Sequence, residues 1–137
     1  METRGEYEFE TEAAAREAYE AAGPTARTVV REAAKAMDFD REEYEARVTS
    51  AVVETVRDAL FASRLAVTVG TRPEFDDWRA ATDLAVAVVG SDAVDNVAWH
   101  AAPFAGEAVA ATFQDEPDAA VETLRRQAVG RLYRDRF

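Results

Sequence analysis

The chain has one histidine, His100, which lies beside Trp99 in the stretch NVAWHAAPFAGEAVAATF, residues 96–113. A catalytic histidine needs a nucleophile or an orienting acid within hydrogen-bond reach, and a metal-binding histidine needs further ligands. The nearest acids in sequence are Asp92 and Asp95, and no spacing ties either of them to His100. His100 is therefore the one catalytic candidate, while a hydrogen-bonded histidine within a strand is the favoured interpretation.

The segment DFDREE, residues 38–43, resembles the start of a calcium loop. An EF-hand loop requires glycine at its sixth position and a bidentate glutamate at its twelfth, and here Glu43 and Thr49 occupy those positions. The segment is therefore not expected to bind calcium. Asp40 and Glu43 instead have the spacing of a capping box, which predicts the start of a helix, and Thr71 and Glu74 have the same spacing.

Two glycine-containing turns also fall short of known sites. The turn GTRPE, residues 70–74, could place Arg72 beside an anion, but it lacks the glycines and the lysine of a phosphate loop. The turn VGSDA, residues 89–93, lacks the second glycine of a nucleophile elbow. No cofactor and no metal site are predicted anywhere in the chain.

The charge balance limits the classes of partner. The 137 residues include 27 acidic and 16 basic side chains, which gives a net charge of -11 and disfavours binding to nucleic acid or to anionic lipid. The C-terminal segment is locally basic, but its arginines are scattered around a helix instead of forming one face: Arg125, Arg126, Arg131, Arg134 and Arg136. Nucleic acid is therefore not an expected partner.

The composition also predicts a cellular compartment. All basic residues but Lys35 are arginine, cysteine is absent, and the acidic excess is typical of proteins that work in concentrated salt. The start METRGEYEFE does not resemble a signal peptide, and the longest apolar run, Leu84–Val89, is too short to span a bilayer. These features predict a soluble, salt-adapted protein of the cytoplasm with no membrane partner.

The apolar periodicity predicts one domain over residues 1–137, helical in residues 1–63 and built from a sheet and a C-terminal helix in residues 64–137. Three N-terminal helices are expected. The first covers Glu12–Ala22 and ends at Gly23-Pro24, the second covers Thr25–Met37, and the third begins at Asp40. The third helix is the expected core helix because it carries an apolar stripe: Tyr44, Val48, Ala51, Val52, Val56, Ala59 and Leu60.

Beyond residue 64 the apolar period changes to two, which is typical of strands. The predicted strands are Leu65–Val69, Leu84–Val89, Asn96–Ala102 and Glu107–Phe113. A short helix over Pro73–Ala80 separates the first two strands, and Asp115-Glu116-Pro117 opens a final helix with a core stripe of Val121, Leu124, Ala128 and Leu132. Segregated helices and consecutive strands indicate an α+β fold with a mostly antiparallel four-stranded sheet.

Alternation along the strands divides their side chains between two faces. One face is assigned the bulky apolar residues Leu65, Val67, Val69, Leu84, Val86, Val88, Val97, Trp99, Val109 and Phe113. The other face has no acidic residue and is assigned Ala66, Thr68, Ala85, Ala87, Val89, Ala98, His100, Ala102, Ala108, Ala110 and Thr112. Either the chain's own helices cover this second face, above all Ala14, Ala15 and Ala18, or a second copy or another protein packs on it, or it is simply exposed.

Four segments resemble the small uncharacterised proteins of haloarchaea that are grouped as a domain of unknown function. These segments are EAYEAAGPTARTVVREAAKAMDFD, DALFASRL, VAWHAAP and ATFQDEPDAAVETLRRQAVGRLYRD. The resemblance implies a haloarchaeal cell and an uncharacterised family. It implies no activity, cofactor or catalytic residue.

Two functions are consistent with the sequence. The first is a non-catalytic cytoplasmic domain that acts through protein contacts, as a homodimer or as a subunit, with Ala98, His100, Ala110 and Thr112 as the leading contact face. The alternative is a small-molecule-binding or enzymatic domain with a pocket near Trp99, His100 and the Asp92/Asp95 loop.

Overall fold

The computed structural model describes all 137 residues and shows an α+β fold. The elements follow one another as β1 (Glu2–Arg4), α1 (Glu12–Ala36), α2 (Arg41–Arg47), α3 (Ser50–Ala62), β2 (Val67–Thr71), α4 (Arg72–Ala81), β3 (Ala85–Val89), β4 (Asn96–Ala102), a 3-10 turn (Pro103–Ala105), β5 (Glu107–Phe113), α5 (Pro117–Ala128) and a π-helical turn (Val129–Tyr133). No helix is both long enough and apolar enough to cross a membrane.

Helix α1 continues through Gly23-Pro24, so the predicted break at that point is wrong. The buried residues of α1 remain in phase on both sides of the proline: Ala15, Tyr19, Ala26, Val30 and Ala34. An unbroken helix keeps all five on one face, whereas a break would rotate the second half away from the core. Because Gly23 has no Cβ, the proline ring meets less steric hindrance from the residue before it.

The predicted third helix is divided into α2 and α3. Asp40 caps α2, accepting a 2.8 Å hydrogen bond from the backbone N–H of Glu43, as its position in the sequence predicted. Thr49 starts a new helix by accepting a 3.3 Å hydrogen bond from the N–H of Val52. The expected core stripe is not buried: in α2 and α3 only Phe61 and Ala62 are buried.

The sheet has five strands in the order β1-β2-β4-β5-β3, and β3 runs parallel to β5 while the other pairs are antiparallel. The predicted sheet of four mostly antiparallel strands is corrected in two respects. Strand β1 was not predicted because its three residues, Glu2–Arg4, are all polar and so show no apolar alternation. Strand β3 is parallel because α4 carries the chain across the sheet to the far edge, beside β5.

The two faces of the sheet have separate cores. The larger core lies between the sheet and α1, α3 and α5, and it includes Tyr19, Phe61, Leu65, Val109 and Tyr133. The predicted core stripe of the last helix is confirmed there, since Val121, Leu124, Ala128 and Leu132 are all buried. The smaller core lies under α4 and consists of Phe75, Val97, Trp99 and Ala110.

Candidate functional site

His100 lies at the centre of β4 with its ring held at both nitrogens. Nδ1 is 2.8 Å from the carbonyl oxygen of Ala66, and Nε2 is 2.6 Å from the hydroxyl oxygen of Tyr133. A carbonyl can only accept, so Nδ1 carries the proton and Nε2 accepts from the Tyr133 hydroxyl. The side chain of His100 has no exposed surface. Both of its hydrogen-bonding groups are therefore used within the fold.

Burial keeps this pair uncharged. Loss of solvation, which is the largest cause, and the nearby Arg125 guanidinium together lower the pKa of His100 from 6.5 to about 4, although the hydrogen bond to Ala66 acts in the opposite direction. Loss of solvation also raises the pKa of the Tyr133 hydroxyl. At neutral pH the pair consists of a neutral imidazole and a neutral phenol, which is a suitable arrangement for a structural bridge between β4 and the π-helical turn.

The predicted contact face is divided between the two sides of the sheet. In the observed register His100 pairs with Val109 and Trp99 pairs with Ala110. Ala98 and His100 therefore face the larger core, whereas Ala110 and Thr112 lie on the opposite side of the sheet. The prediction that these four residues form one face is wrong, because alternation fixes the phase within a strand but not the register between strands.

The chain's own helices cover both sides of the sheet at these four residues. Ala98, His100 and Ala110 are fully buried, and Thr112 is half-buried and accepts a 2.9 Å hydrogen bond from the N–H of Ser91. Of the helix residues expected to provide the cover, Ala15 is buried in the larger core but Ala14 is exposed. Most of the cover comes from α5 on one side and α4 on the other.

The alternative pocket is also divided. Trp99 lies on the α4 side of the sheet, with its ring centroid 5.6 Å from that of Trp78, and it lines a cleft of about 200 Å³ together with Glu8 and Thr68. His100 points to the other side of the sheet. A single pocket that contains both Trp99 and His100 is therefore not formed.

Arg72 holds the loop that carries Asp92 and Asp95. Its guanidinium donates to the carbonyls of Val94 and Ser91, each at 3.1 Å, and its backbone N–H donates to the carbonyl of Asp95 at 2.8 Å. The guanidinium considered above as an anion ligand is thus bound to protein carbonyls. The capping box predicted at Thr71 and Glu74 is confirmed, with hydrogen bonds in both directions.

Three arginines of the C-terminal segment also bind groups of the protein. Arg125 donates to the carbonyls of Leu65 and Arg4, Arg134 pairs with Asp58, and Arg136 pairs with Glu107. No group of three or more histidine, cysteine, aspartate or glutamate side chains is placed to hold a metal ion.

One surface was missed by the sequence analysis, and we call it the helix-pair face. Helical spacing assigns to it Ala18, Ala22, Thr25, Val29, Ala33 and Ala36 of α1 and Val52, Val56 and Leu60 of α3. Five of these residues are exposed, whereas Ala18, Ala22, Val56 and Leu60 are half-buried, and Ala18 and Ala22 also pack against the larger core.

At one end of this face the two helices share a groove of about 180 Å³ that is lined by Ala18, Ala22, Thr25 and Leu60 among others, and Arg64, which is paired with Glu6, also lines this groove. From this groove the α1 row continues toward Ala36 and the α3 row continues toward Val52. Because the two helices are antiparallel, both rows run in the same direction away from the groove. Val29 and Val52 are 42% and 40% exposed.

Charged side chains avoid the helix-pair face. In α3 the charged residues Glu54, Arg57 and Asp58 lie about 100° or more around the helix from Val56. In α1 only Glu32 reaches the edge of the face, and Lys35 neutralises it at 3.5 Å. The first turn of α3 contains no acidic residue, although every other α-helix of the chain has one there. Because a helix N-terminus favours carboxylates, their absence from the first turn of α3 is unusual. This turn carries Val52, one of the residues of the helix-pair face.

A network of polar side chains holds α1 and α3 together beside the helix-pair face. The Tyr19 hydroxyl donates to Asp58 at 2.7 Å and accepts from Arg57 at 2.9 Å, and Asp58 also accepts from Arg134. Loss of solvation and the hydrogen bond to Asp58 raise the pKa of Tyr19, so this hydroxyl keeps its proton. The network joins α1, α3 and the C-terminal end of the chain, and it gives the helix-pair face a fixed geometry.

The signal for this face was present in the sequence but was interpreted differently. The stripe that includes Val52, Val56 and Leu60 has the apolar spacing of a core helix, and it was assigned to the core of the chain itself. Periodicity shows that a stripe is suited to burial. It does not show whether the covering surface belongs to the same chain.

Comparison with known proteins gives a family and no activity. The model of one protein family matches residues 6–134, and that family is described as a family of unknown function, DUF5809. No curated protein and no solved structure matches the chain.

Proposed function

The chain belongs to DUF5809, a family of unknown function that assigns it no activity, and from the arrangement of its side chains we propose that it is a non-catalytic domain that binds protein through the helix-pair face. The observation that carries the proposal is an apolar, uncharged surface across two helices in a chain of net charge -11. Exposed surface in such a chain is expected to carry carboxylates. A surface that lacks them over two helices is suited to contact with protein.

Part of the region that carries this face contributes no buried residue. From Lys35 to Leu60 no residue is buried, although this segment contains α2 and most of α3. Helices in proteins are stabilised mainly by burial of an apolar face, since isolated helices of this length are marginal in water. A bound protein would supply that burial, and it would cover the stripe whose spacing is typical of a core.

The environment of His100 supports a non-catalytic function. Its two ring nitrogens are bonded to Ala66 and Tyr133, and no surface of the ring reaches solvent. The chain has no second histidine and no cysteine to provide another base or a thiolate nucleophile. The polar groups singled out above, Arg72 and Asp58 among them, bind other groups of the protein.

We further propose that the domain works in the cytoplasm of a haloarchaeal cell at high salt. The support is compositional: 27 acidic against 16 basic residues, and no cysteine. In concentrated salt the Debye length falls to about 3 Å, so carboxylates on separate molecules repel each other little. Under those conditions an uncharged apolar face is the part of the surface with the strongest tendency to associate.

The proposal is tested with two matched variants of α3, Val52→Asp and Ala51→Asp. Both place one carboxylate in the first turn of α3, where the helix dipole favours it, so neither should unfold the helix. Only Val52 belongs to the helix-pair face, whereas Ala51 lines the cleft between α3 and α5. The measurement is the elution volume of the tagged chain by gel filtration of an extract of the cells that produce it, in their own salt.

We expect the unaltered chain and Ala51→Asp to elute as a complex larger than 15.0 kDa. Val52→Asp should elute at the mass of the single chain, because one buried, unpaired carboxylate weakens an apolar contact severely. The proposal would be rejected if the unaltered chain eluted alone, or if Val52→Asp eluted with the same complex as Ala51→Asp.

A further inference from the structure

We infer that the protein bound at the helix-pair face is a second copy of this chain, docked face to face about a two-fold axis. The inference rests on the proposed function and identifies its partner. The two helix pairs would then form a four-helix layer, with the two sheets on its outside.

The geometry of the face is suited to a copy of itself. Ala18, near the start of α1, shares a groove with Leu60, near the end of α3, so the two helices run antiparallel. Two antiparallel helices with one uncharged apolar side correspond to half of a four-helix bundle. The α1 row consists of small residues except for Val29, and the α3 row consists of the larger residues Val52, Val56 and Leu60. A two-fold axis can place the larger row of each copy against the smaller row of the other.

The area of the face is that of a small, reversible interface. At a rise of 1.5 Å per residue the α1 row from Ala18 to Ala36 is about 27 Å long and the α3 row from Val52 to Leu60 is about 12 Å long, and each helix is about 10 Å wide. The footprint is therefore roughly 390 Å² on each copy. Two such footprints come to about 780 Å², which is in the range of weak interfaces and below the total of about 1,000 Å² of a stable one.

The scarcity of charge favours association at this face over any other part of the surface. One chain has a net charge of -11, so most other contacts between two copies would bury carboxylates, and a buried unpaired carboxylate is costly even where salt screens its repulsion from the other copy. The helix-pair face is the exception, since its two charged neighbours, Glu32 and Arg64, are paired with Lys35 and with Glu6. A basic partner would find no carboxylates on the face to bind, whereas a second copy presents the same uncharged surface.

The first test is the mass of the purified chain in multimolar potassium chloride, measured by light scattering. We expect about 30 kDa, twice the 15.0 kDa of one chain, for the unaltered protein and for Ala51→Asp, and about 15 kDa for Val52→Asp. Circular dichroism should show equal helix content in all three proteins. A mass near 15 kDa for the unaltered chain, or a dimer that persists in Val52→Asp, would overturn the inference.

The second test locates the contact with single cysteines, which is direct because the natural chain has none. Thr25→Cys, Val29→Cys and Val56→Cys are on the face, and Arg31→Cys and Ala51→Cys are off it. With a short bismaleimide, at least one cysteine of the face should form a covalent dimer, and the two off-face cysteines should stay monomeric. Crosslinking confined to the off-face positions would place the two-fold contact elsewhere and overturn the inference.

The failure of this inference differs from the failure of the proposed function. If the purified chain is a monomer but Val52→Asp still releases it from the complex in the extract, the face binds a different protein and only the second-copy inference falls. If Val52→Asp changes neither the purified chain nor the complex in the extract, both proposals fall.

Discussion

At the scale of the residue, His100 stabilises the fold by remaining neutral. Its ring joins the backbone of Ala66, which leads into β2, to Tyr133 in the π-helical turn, so one side chain connects three parts of the larger core. A buried imidazolium could keep the bond to Ala66, but its Nε2–H would then donate to the Tyr133 oxygen, and the Tyr133 proton would lose its acceptor. Protonation is therefore opposed both by burial and by the hydrogen-bond pattern.

This arrangement predicts a stability that depends on pH. The pKa of His100 is about 4 in the folded chain and 6.5 in the unfolded chain, so between these values the unfolded state binds more protons. The free energy of unfolding should therefore fall as pH drops from 6.5 to 4, by about 3 kcal/mol from this group. His100→Gln, whose amide does not titrate, should lack this part of the pH dependence in urea unfolding.

The single histidine also allows its pKa to be measured directly. Its ring carbon and proton signals are unique in the NMR spectrum because the chain has no other histidine. A midpoint near 4 agrees with a buried ring bonded to Tyr133. A midpoint near 6.5 would mean that solvent reaches the ring, and it would reopen the question of a catalytic function for His100.

At the scale of the element, the length of α1 determines whether the helix-pair face exists. A helix that ended at Gly23-Pro24 would leave Val29 and Ala33 in a separate segment, with no fixed relation to Ala18 and Ala22. The proline removes one helical N–H, and Thr28 donates its hydroxyl to the carbonyl of Pro24 at 3.2 Å. Packing of the stripe from Ala15 to Ala34 therefore overrides a local stop signal.

Replacement of this proline tests the continuity of α1. Proline in a helix interior costs about 3 kcal/mol relative to alanine, and its rigidity in the unfolded chain offsets up to about 1 kcal/mol of that. Pro24→Ala should therefore raise the free energy of unfolding by about 2 kcal/mol in urea titrations. The matched control is Pro73→Ala in the first turn of α4, where proline is tolerated and no comparable gain is expected. Equal effects of the two substitutions would contradict a continuous α1.

These elements also show which parts of the fold local sequence rules can predict. Strands β4 and β5 were predicted with correct bounds, because each combines alternation with a clear turn between them. The cap at Asp40 and the capping box at Thr71 were likewise predicted, since caps depend on residues three apart. The register of β4 and β5, and hence the faces of His100 and Ala110, depends on the turn geometry and could not be predicted from alternation.

At the scale of the whole molecule, the chain separates a charged surface from an uncharged one. Outside the helix-pair face, exposed carboxylates are close together, as at Glu17 and Glu20 on the outer side of α1, which have no ion-pair partner. Such carboxylates repel each other in dilute buffer, and salt screens the repulsion. The same excess of acids on which the proposed adaptation to salt rests also makes the scarcity of acids on one face informative.

The salt dependence of folding tests this distribution of charge. In the Val52→Asp background, which excludes a contribution from association, the free energy of unfolding should rise between dilute and molar potassium chloride. Glu17→Gln combined with Glu20→Gln should raise the dilute-buffer value by a few tenths of a kcal/mol and reduce the salt dependence, because it removes repulsion between like charges on one helix. Glu12→Gln should lower the value, since Glu12 lies in the first turn of α1 and 3.8 Å from Arg16. If all the substitutions lowered stability alike, the carboxylates would not repel each other, and the proposed adaptation to salt would lose its physical basis.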